Sequence, residues 1–512
     1  MGQNYETDRV MRTGIVVQIV IVCLIMIGGY EAFLGFRQLY GFAVSNHNLY
    51  ALTGSFYNPG PYMGYLAMVL PVCVYVYVSG CTQILRCAQD DIIKRTSINV
   101  LKYSAGIIGL MILCLLPSGM SRSAWVAAIV SVGYVMAMHH REKLRTFLRN
   151  HWKGVLVFSV VLVILACGAY HLKKDSADGR LLMWKVASRA VCERPWTGYG
   201  WESVAGAYGD AQEAYFANGD YTATEAHVAG SPEYVFNEYL QVAMAWGVPV
   251  LVICLLMLIG GWCIAHRRKQ YGLCGGLLSF GVFAFSSYPL QFSLFVFSLV
   301  LLWVGCILSG LPHQKRWGRV TAVTLMLIAL MGGGLLYHYH IEKEDAKDKW
   351  ERCRVLYQSG AYSQAVESYA EHYEGMKLDA RYLFEYGHAL HKLHRNEESN
   401  TILQEALKVS SDPMILNIIG KNFQEMQQYK EAEHWLLRST HRLPGRIYPY
   451  YLLAKLYQEA GDHFPSEKMD WAIRIVLETE PKVHSRAIDE MREEVKRIAK
   501  NVHSIERKLF GK

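Results

Sequence analysis

The chain has 512 residues, with 52 Lys and Arg against 44 Asp and Glu, a formal net charge of +8. That surplus would suit nucleic acid if it formed one basic face. Instead the Lys and Arg residues sit in short segments between long apolar runs, which is how membrane orientation is encoded, so nucleic acid is excluded as a partner. Most of the 12 cysteines (Cys23, Cys73, Cys114, Cys167, Cys254, Cys263, Cys274 and Cys306 among them) fall in apolar runs, where Cys is a small hydrophobe. Only Cys192 and Cys353 fall in segments expected outside. With no C-x-x-C present, neither a disulfide framework nor a metal site is expected.

A span needs about 20 largely apolar residues. In chain order the runs 14–36, 61–79, 103–117, 122–138, 154–171, 239–265, 272–288, 290–310 and 320–337 qualify or nearly so, which predicts about nine spans. The first run is too long, and too poor in small residues at its end, to read as a cleaved signal. Arg9, Arg12, Arg86, Lys94, Arg95, Lys102, Arg141, Lys143, Arg145, Arg149 and Arg267–Lys269 then collect on one side, which predicts a cytoplasmic N-terminus. An odd number of spans puts the C-terminal third in the periplasm. The expected division is 1–340, a transmembrane domain with a periplasmic loop 172–238, and 341–512, a soluble domain.

This topology sets Glu31, Arg37, Arg122, Glu238, Tyr288 and Gln291 at or near the outer ends of spans. Interfacial snorkelling accounts for any one of them. Ionisable groups near hydrocarbon, gathered on one face, point to a shared site.

Two short stretches read as shaped backbone rather than as helix. Thr53–Pro61 is a cluster of turn residues before a span, and irregular backbone at that depth survives only when buried or lining a cavity. Pro117–Trp125 sets Arg122 among small residues. Asp90-Asp91 has no ligating companions, and His139-His140 ends a span in a basic loop. Neither a P-loop nor a Ser-His-Asp signature is apparent.

Loop 172–238 is too long for a simple connector. Asp178 reads as the N-cap of a helix on which Leu181, Trp184, Ala187, Ser188 and Val191 recur at helical spacing, and Pro195 ends it. Lys185 and Arg189, four apart, share one face. Such a helix suits a membrane surface with anionic head groups, and equally a bound phosphate, for which Arg is well shaped.

The C-terminal third is periodic. Small residues recur at Cys353, Gly387, Gly420 and Ala454, spaced by 34, 33 and 34, each followed three residues on by Leu356, Leu390, Phe423 or Tyr457. Gly360-Ala361-Tyr362 precedes Ala365 and Tyr369, Tyr429 precedes Ala432 and Leu436, and Pro444 closes the third unit. These residues resemble the tetratricopeptide repeat, with 483–508 as a charged helical cap. Such arrays bind protein partners or serve as packing platforms.

Taken together, Glu31–Tyr40 with Thr53–Pro71, Ser121–Trp125, Gly179–Lys185 with Pro195–Gly200, and Asn237–Gln241 with Gly247 resemble the O-antigen ligase and polymerase superfamily. Tyr288-Pro289 resembles a motif of its branch with C-terminal repeats. The resemblance implies an all-α, multi-pass glycosyltransferase of the bacterial inner membrane, acting in lipopolysaccharide or related envelope polysaccharide biosynthesis. Its reaction is metal-independent and uses no cofactor. A glycan passes from an undecaprenyl-pyrophosphate carrier to a hydroxyl on lipid A core, on another glycan repeat or on a protein. Arg122 and Arg180 match the family's arginines and are the expected stabilisers of the departing pyrophosphate, with Arg37, Lys185 and Arg189 as further binding candidates. Asn237 and Tyr288 fall in matched motifs as substrate-binding candidates. The acceptor's base is Glu238, or His227 from the same loop.

Two departures accompany the match. Phe236 stands where the family often has His, and relatives carry more spans before the segment matching Glu31. Two rival readings keep their place: a non-catalytic envelope scaffold with partner-binding repeats, and a transporter of lipid-linked glycans.

Overall fold

In hydrocarbon every backbone N–H and C=O must be bonded within its own segment, which favours helices. The computed structural model describes residues 2–79, 92–151, 174–310 and 346–510, and its elements there are helical apart from an isolated bridge between His47 and Tyr50. The expected spans 154–171 and 320–337, with Cys167 and Asp90-Asp91, lie outside the described residues. The chain divides into two units. The first is Met1–Ala169, Phe236–Tyr239 and Pro249–His338; the second is Tyr170–Val235, Leu240–Val248 and Tyr339–Lys512.

The first unit holds α1 (Gly2–Leu39), α2 (Pro59–Ser79), α3 (Ile92–Leu115), α4 (Arg122–His139) and α5 (Arg141–Asn150). It also takes most of α9 (Glu238–Arg267), then α10 (Tyr271–Ala284) and α11 (Ser293–Gly310). Among the described residues, four helical stretches are long and apolar enough to cross a membrane: Val17–Leu39, Pro59–Ser79, Glu238–Arg267 and Ser293–Gly310. A fifth passes that test only together with α5, across a bend of 98°, and Asn99–Leu115 and Tyr271–Ala284 are apolar but shorter. The run expected to be helical to 288 stops at Ala284, because Pro289 resists a helix interior and opens a 3₁₀ turn, Pro289–Gln291.

Helix α2 is apolar all round, as a central helix should be, and packs against α1, α3, α4 and α10. Its buried polar groups are bonded: Tyr65 meets Ser298 (3.1 Å), and Ser279 donates to the carbonyl of Ala67 (2.8 Å).

The second unit is built from helical hairpins. Helices α12 (346–358) and α13 (Tyr362–Met376), α14 (Ala380–Lys392) and α15 (Asn396–Val409), α16 (Pro413–Glu425) and α17 (Tyr429–Arg442), and α18 (Ile447–Ala460) and α19 (Ser466–Glu478) alternate. They are followed by α20 (Arg486–Phe510). Asp379 and Asp412 cap α14 and α16, accepting from the N–H groups of Tyr382 and Met414. Gly387, Gly420 and Ala454 each lie at the eighth position of their hairpin's first helix. A Cβ on Gly387 would come within 2.6 Å of Leu403, and one on Gly420 within 2.7 Å of Leu436, so the second helix closes onto the gap. The turns share a left-handed residue at matching places: Gly360, His394, Gln427 and Gly461, with φ of 80°, 57°, 59° and 53°.

Candidate functional site

Loop 172–235 belongs to the second unit and folds as α6 (Lys174–Glu193), α7 (Val204–Ala217) and α8 (Ala223–Val228). The expected N-cap at Asp178 is not one: the helix is already formed at Lys174, since Lys174–Ala177 carries no breaker and Asp175 suits a first turn. The face that α6 buries is not the expected apolar stripe: of that stripe only Ala187 is buried, Trp184 and Val191 are half-buried, and Leu181 and Ser188 are exposed. Leu182, Val186, Ala187 and Ala190 are buried with Val204, Tyr208, Ala211 and Tyr215 of α7.

The basic stripe is organised around one tyrosine. Lys185 Nζ donates to Tyr215 Oη and to Glu225 Oε1, both at 2.7 Å, and the Arg189 guanidinium lies 4.5 Å from the Tyr215 ring centre. Glu225 also closes a capping box with Thr222. Burial pushes its carboxyl up, but hydrogen bonds from Lys185, the Thr222 backbone and Tyr215 outweigh this and hold it down at about 2. Lys185 is raised, first by its bond to Glu225 and then by Tyr215. Arg189 stays exposed, and Arg180 is half-buried, about 140° round the helix from Lys185 by helical geometry. His227 is exposed on α8, two residues past Glu225. Thus Lys185 and Arg189 share Tyr215, while Arg180 and His227 stand apart from that cluster.

In the first unit, Glu238 opens α9 at 3% exposure. Its Oε2 accepts from the N–H of Leu290 (3.1 Å), whereas Oε1 meets no hydrogen-bond partner among the described residues. The neighbouring Tyr288 is buried and packs edge-on against Phe236 at 5.0 Å. Phe236 adopts φ 53°, unusual for a bulky residue, and Asn237 Oδ1 accepts from the N–H of Tyr239 (3.1 Å). Phe236, Asn237, Glu238 and Tyr288 therefore form one cluster at the start of α9.

Arg122 opens α4 and is exposed. Arg37, also exposed, donates to the carbonyl of Phe42 (3.1 Å). The loop after α1 is held by Gln38, which lies buried on that helix. Its Oε1 accepts from Thr53 and Gly54 N–H (3.0 and 2.7 Å), and its Nε2 donates to the Gly54 and Val44 carbonyls (2.9 and 3.2 Å). Glu31, 1% exposed, accepts from the Ser55 N–H (3.0 Å), and Tyr62 donates to the Glu31 carbonyl (2.7 Å). Glu31 thus shapes the turn cluster expected at Thr53–Pro61. Sequence reasoning missed Gln38, Tyr215 and Glu225; of these only Glu225 carried a local sign, the Thr-x-x-Glu of a capping box.

No curated protein is significantly similar to the chain. Residues 107–255, which include α4, the loop helices α6 to α8 and the start of α9, match the family model described as O-antigen ligase.

Proposed function

We propose that the chain is a membrane glycan ligase or polymerase. It moves a glycan from an undecaprenyl-pyrophosphate carrier to a hydroxyl of a lipid, glycan or protein acceptor at the periplasmic face of the bacterial inner membrane. In this reading the chain has about nine spans and 341–512 is a periplasmic, tetratricopeptide-like domain. The match to O-antigen ligase over 107–255 carries the proposal, because that one stretch contains Arg122, Arg180, Lys185, Arg189, His227, Asn237 and Glu238.

The chemistry asks little more than such residues offer. The acceptor oxygen attacks the anomeric carbon, the bond from that carbon to the pyrophosphate oxygen breaks, and the electron pair leaves on the pyrophosphate. Arg122 and Arg180 stabilise the charge that develops there, and guanidinium suits a bidentate grip on phosphate. Arg37, Lys185 and Arg189 supply further cationic contacts, with Lys185 already committed to Glu225. Glu238 takes the acceptor's proton. Its buried Oε1, without a hydrogen-bond partner among the described residues, supports that role, and His227, exposed on α8, is the alternative base. Asn237 and Tyr288 flank Glu238 as substrate contacts.

The test is transfer in vitro from a purified undecaprenyl-pyrophosphate glycan, comparing wild type with Arg122→Ala and Arg180→Ala at equal folded amounts. Transfer by wild type that falls at least a hundredfold in both variants is expected, about the loss seen on removing one oxyanion-stabilising donor. No transfer to lipid A core, repeat-unit or protein acceptors with a competent donor favours the non-catalytic scaffold. Transfer indifferent to both arginines keeps the enzyme and removes this site.

A further inference from the structure

The residue after each recurring small position is Arg354, His388, Lys421 and Lys455 in turn, so the hairpins repeat a basic position as well as a small one. Lys421 and Lys455 line a cavity of about 620 Å³ between α16, α18 and α20, together with Tyr448, Gln424, Glu459 and Glu490.

Most charges here are already satisfied. Lys455 pairs with Glu494 (3.2 Å), Gln424 donates to Glu459 (2.5 Å), Arg486 pairs with Glu490 (2.9 Å), and Glu425 accepts from Asn396 (3.0 Å) and pairs with His394 (3.1 Å). Lys421 is different: half-buried, it has no hydrogen-bond or ion-pair partner among the described residues, and neither has the exposed Lys392. Burial first, then Lys392, pull the Lys421 ammonium below its ordinary range; Glu425 opposes them, and Lys455 adds a lesser push in the same direction as Lys392. A bound anion would relieve that strain. Tyr448 stacks with Tyr451 (6.3 Å, 25°), a flat apolar surface beside the cations.

We infer that this cavity binds an acidic glycan, with a sugar carboxylate on Lys421, a pyranose ring against Tyr448, and Lys392, outside the lining, adding its charge to that of Lys421. The surrounding carboxylates decide between glycan and peptide. Sugar hydroxyls donate to Glu459 and Glu490, whereas a uniformly acidic peptide meets repulsion from them and from Glu425 and Glu494. The choice of a glycan ligand rests on the transfer reading above. The cavity lies in the second unit, and none of the residues given roles in transfer lines it.

The experiment is calorimetric binding to the full-length protein in lipid nanodiscs. The probes are a hyaluronan hexasaccharide, in which every second sugar is uncharged, the same hexasaccharide after carboxyl reduction, and hexaglutamate. Wild type is expected to bind the uronate about tenfold tighter than the other two, with Lys421→Met losing about tenfold and Lys421→Arg retaining affinity. Lys392→Gln, at an exposed and unpaired position, provides a second variant whose folding is secure, and is expected to weaken binding severalfold. No uronate binding, equal binding of the reduced hexasaccharide, tighter binding of hexaglutamate, or indifference to both lysine changes overturns the inference. Because no transfer is read, failure here leaves the transfer reading intact. Failure of transfer with uronate binding preserved counts against the transfer reading alone.

Discussion

Arg442, wholly buried at the end of α17, donates from Nη2 to Asp210 (2.6 Å) and Glu213 (3.0 Å) of α7, more than two hundred residues away in sequence. Arg438 adds a two-pronged grip on Glu213 (2.6 and 3.2 Å), and Gln212 donates to the Arg442 carbonyl (2.7 Å). Arg442→Met leaves Glu213, mostly buried, with one cation instead of two. The expected cost is about 3 kcal/mol, read as a lower unfolding midpoint and faster hydrogen exchange across α7. Combining it with Glu213→Gln should recover part of the loss, because the two changes share one network.

Gly54 holds φ 58°, and a Cβ there would lie 2.3 Å from the Tyr62 ring and 2.7 Å from Glu31 Oε2. Gly54→Ala should destabilise the loop after α1 by about 2–3 kcal/mol, through backbone strain and the clash together. Gly41, at φ 77° with nothing near its Cβ position, is the control. Gly41→Ala should cost only the strain, about 1 kcal/mol. Proteolysis rates within residues 40–58 compare the two.

Gln427 and His394 take the left-handed turn position that glycine fills at Gly360 and Gly461. His394 also reaches Glu425 (3.1 Å), so Gln427 is the cleaner probe. Gln427→Gly is expected to stabilise the second unit by about 0.5–1 kcal/mol, read from the unfolding midpoint.

His388 bonds to Tyr357 (2.7 Å), and burial, followed by Lys392, His391 and Lys421, lowers its imidazole from 6.5 to about 4. The folded state refuses a proton that the unfolded chain accepts. Stability of the second unit should therefore fall as pH drops from 6.5 towards 4, and level off below. His388→Gln should flatten part of that slope in pH-dependent thermal melts; His391, lowered in the same direction by burial, leaves the rest.

What the sequence made legible was periodic. Apolar runs announced α1, α2, α9 and α11, and the spacing of Gly387 and Gly420 matches the step from one hairpin to the next. What it hid depends on partners far along the chain. The sequence of α6 offers more than one apolar face, and Tyr208 and Tyr215 on α7 cover Leu182, Val186, Ala187 and Ala190 while Leu181 stays exposed. Lys185 looked like a free phosphate ligand because Glu225, forty residues on, leaves no periodic trace beside it. Gln38 was invisible because a glutamine that bonds four backbone groups has no spacing signature. Phe236 was noticed as a departure in residue type, but its left-handed backbone was not.

The second unit is assembled from Tyr170–Val235, Leu240–Val248 and Tyr339–Lys512, so its parts leave the ribosome at widely separated times. Helix α7 emerges long before the helices α15 and α17 that it packs against. Until Arg438 and Arg442 are made, Asp210 and Glu213 have no cation from α17, and α7 is held by α6 and by Val235, Met244 and Ala245. Completion of this unit is thus a late event in synthesis. A chain stopped before the third hairpin would carry every arginine of loop 172–238, yet would lack the element that fixes α7 in place.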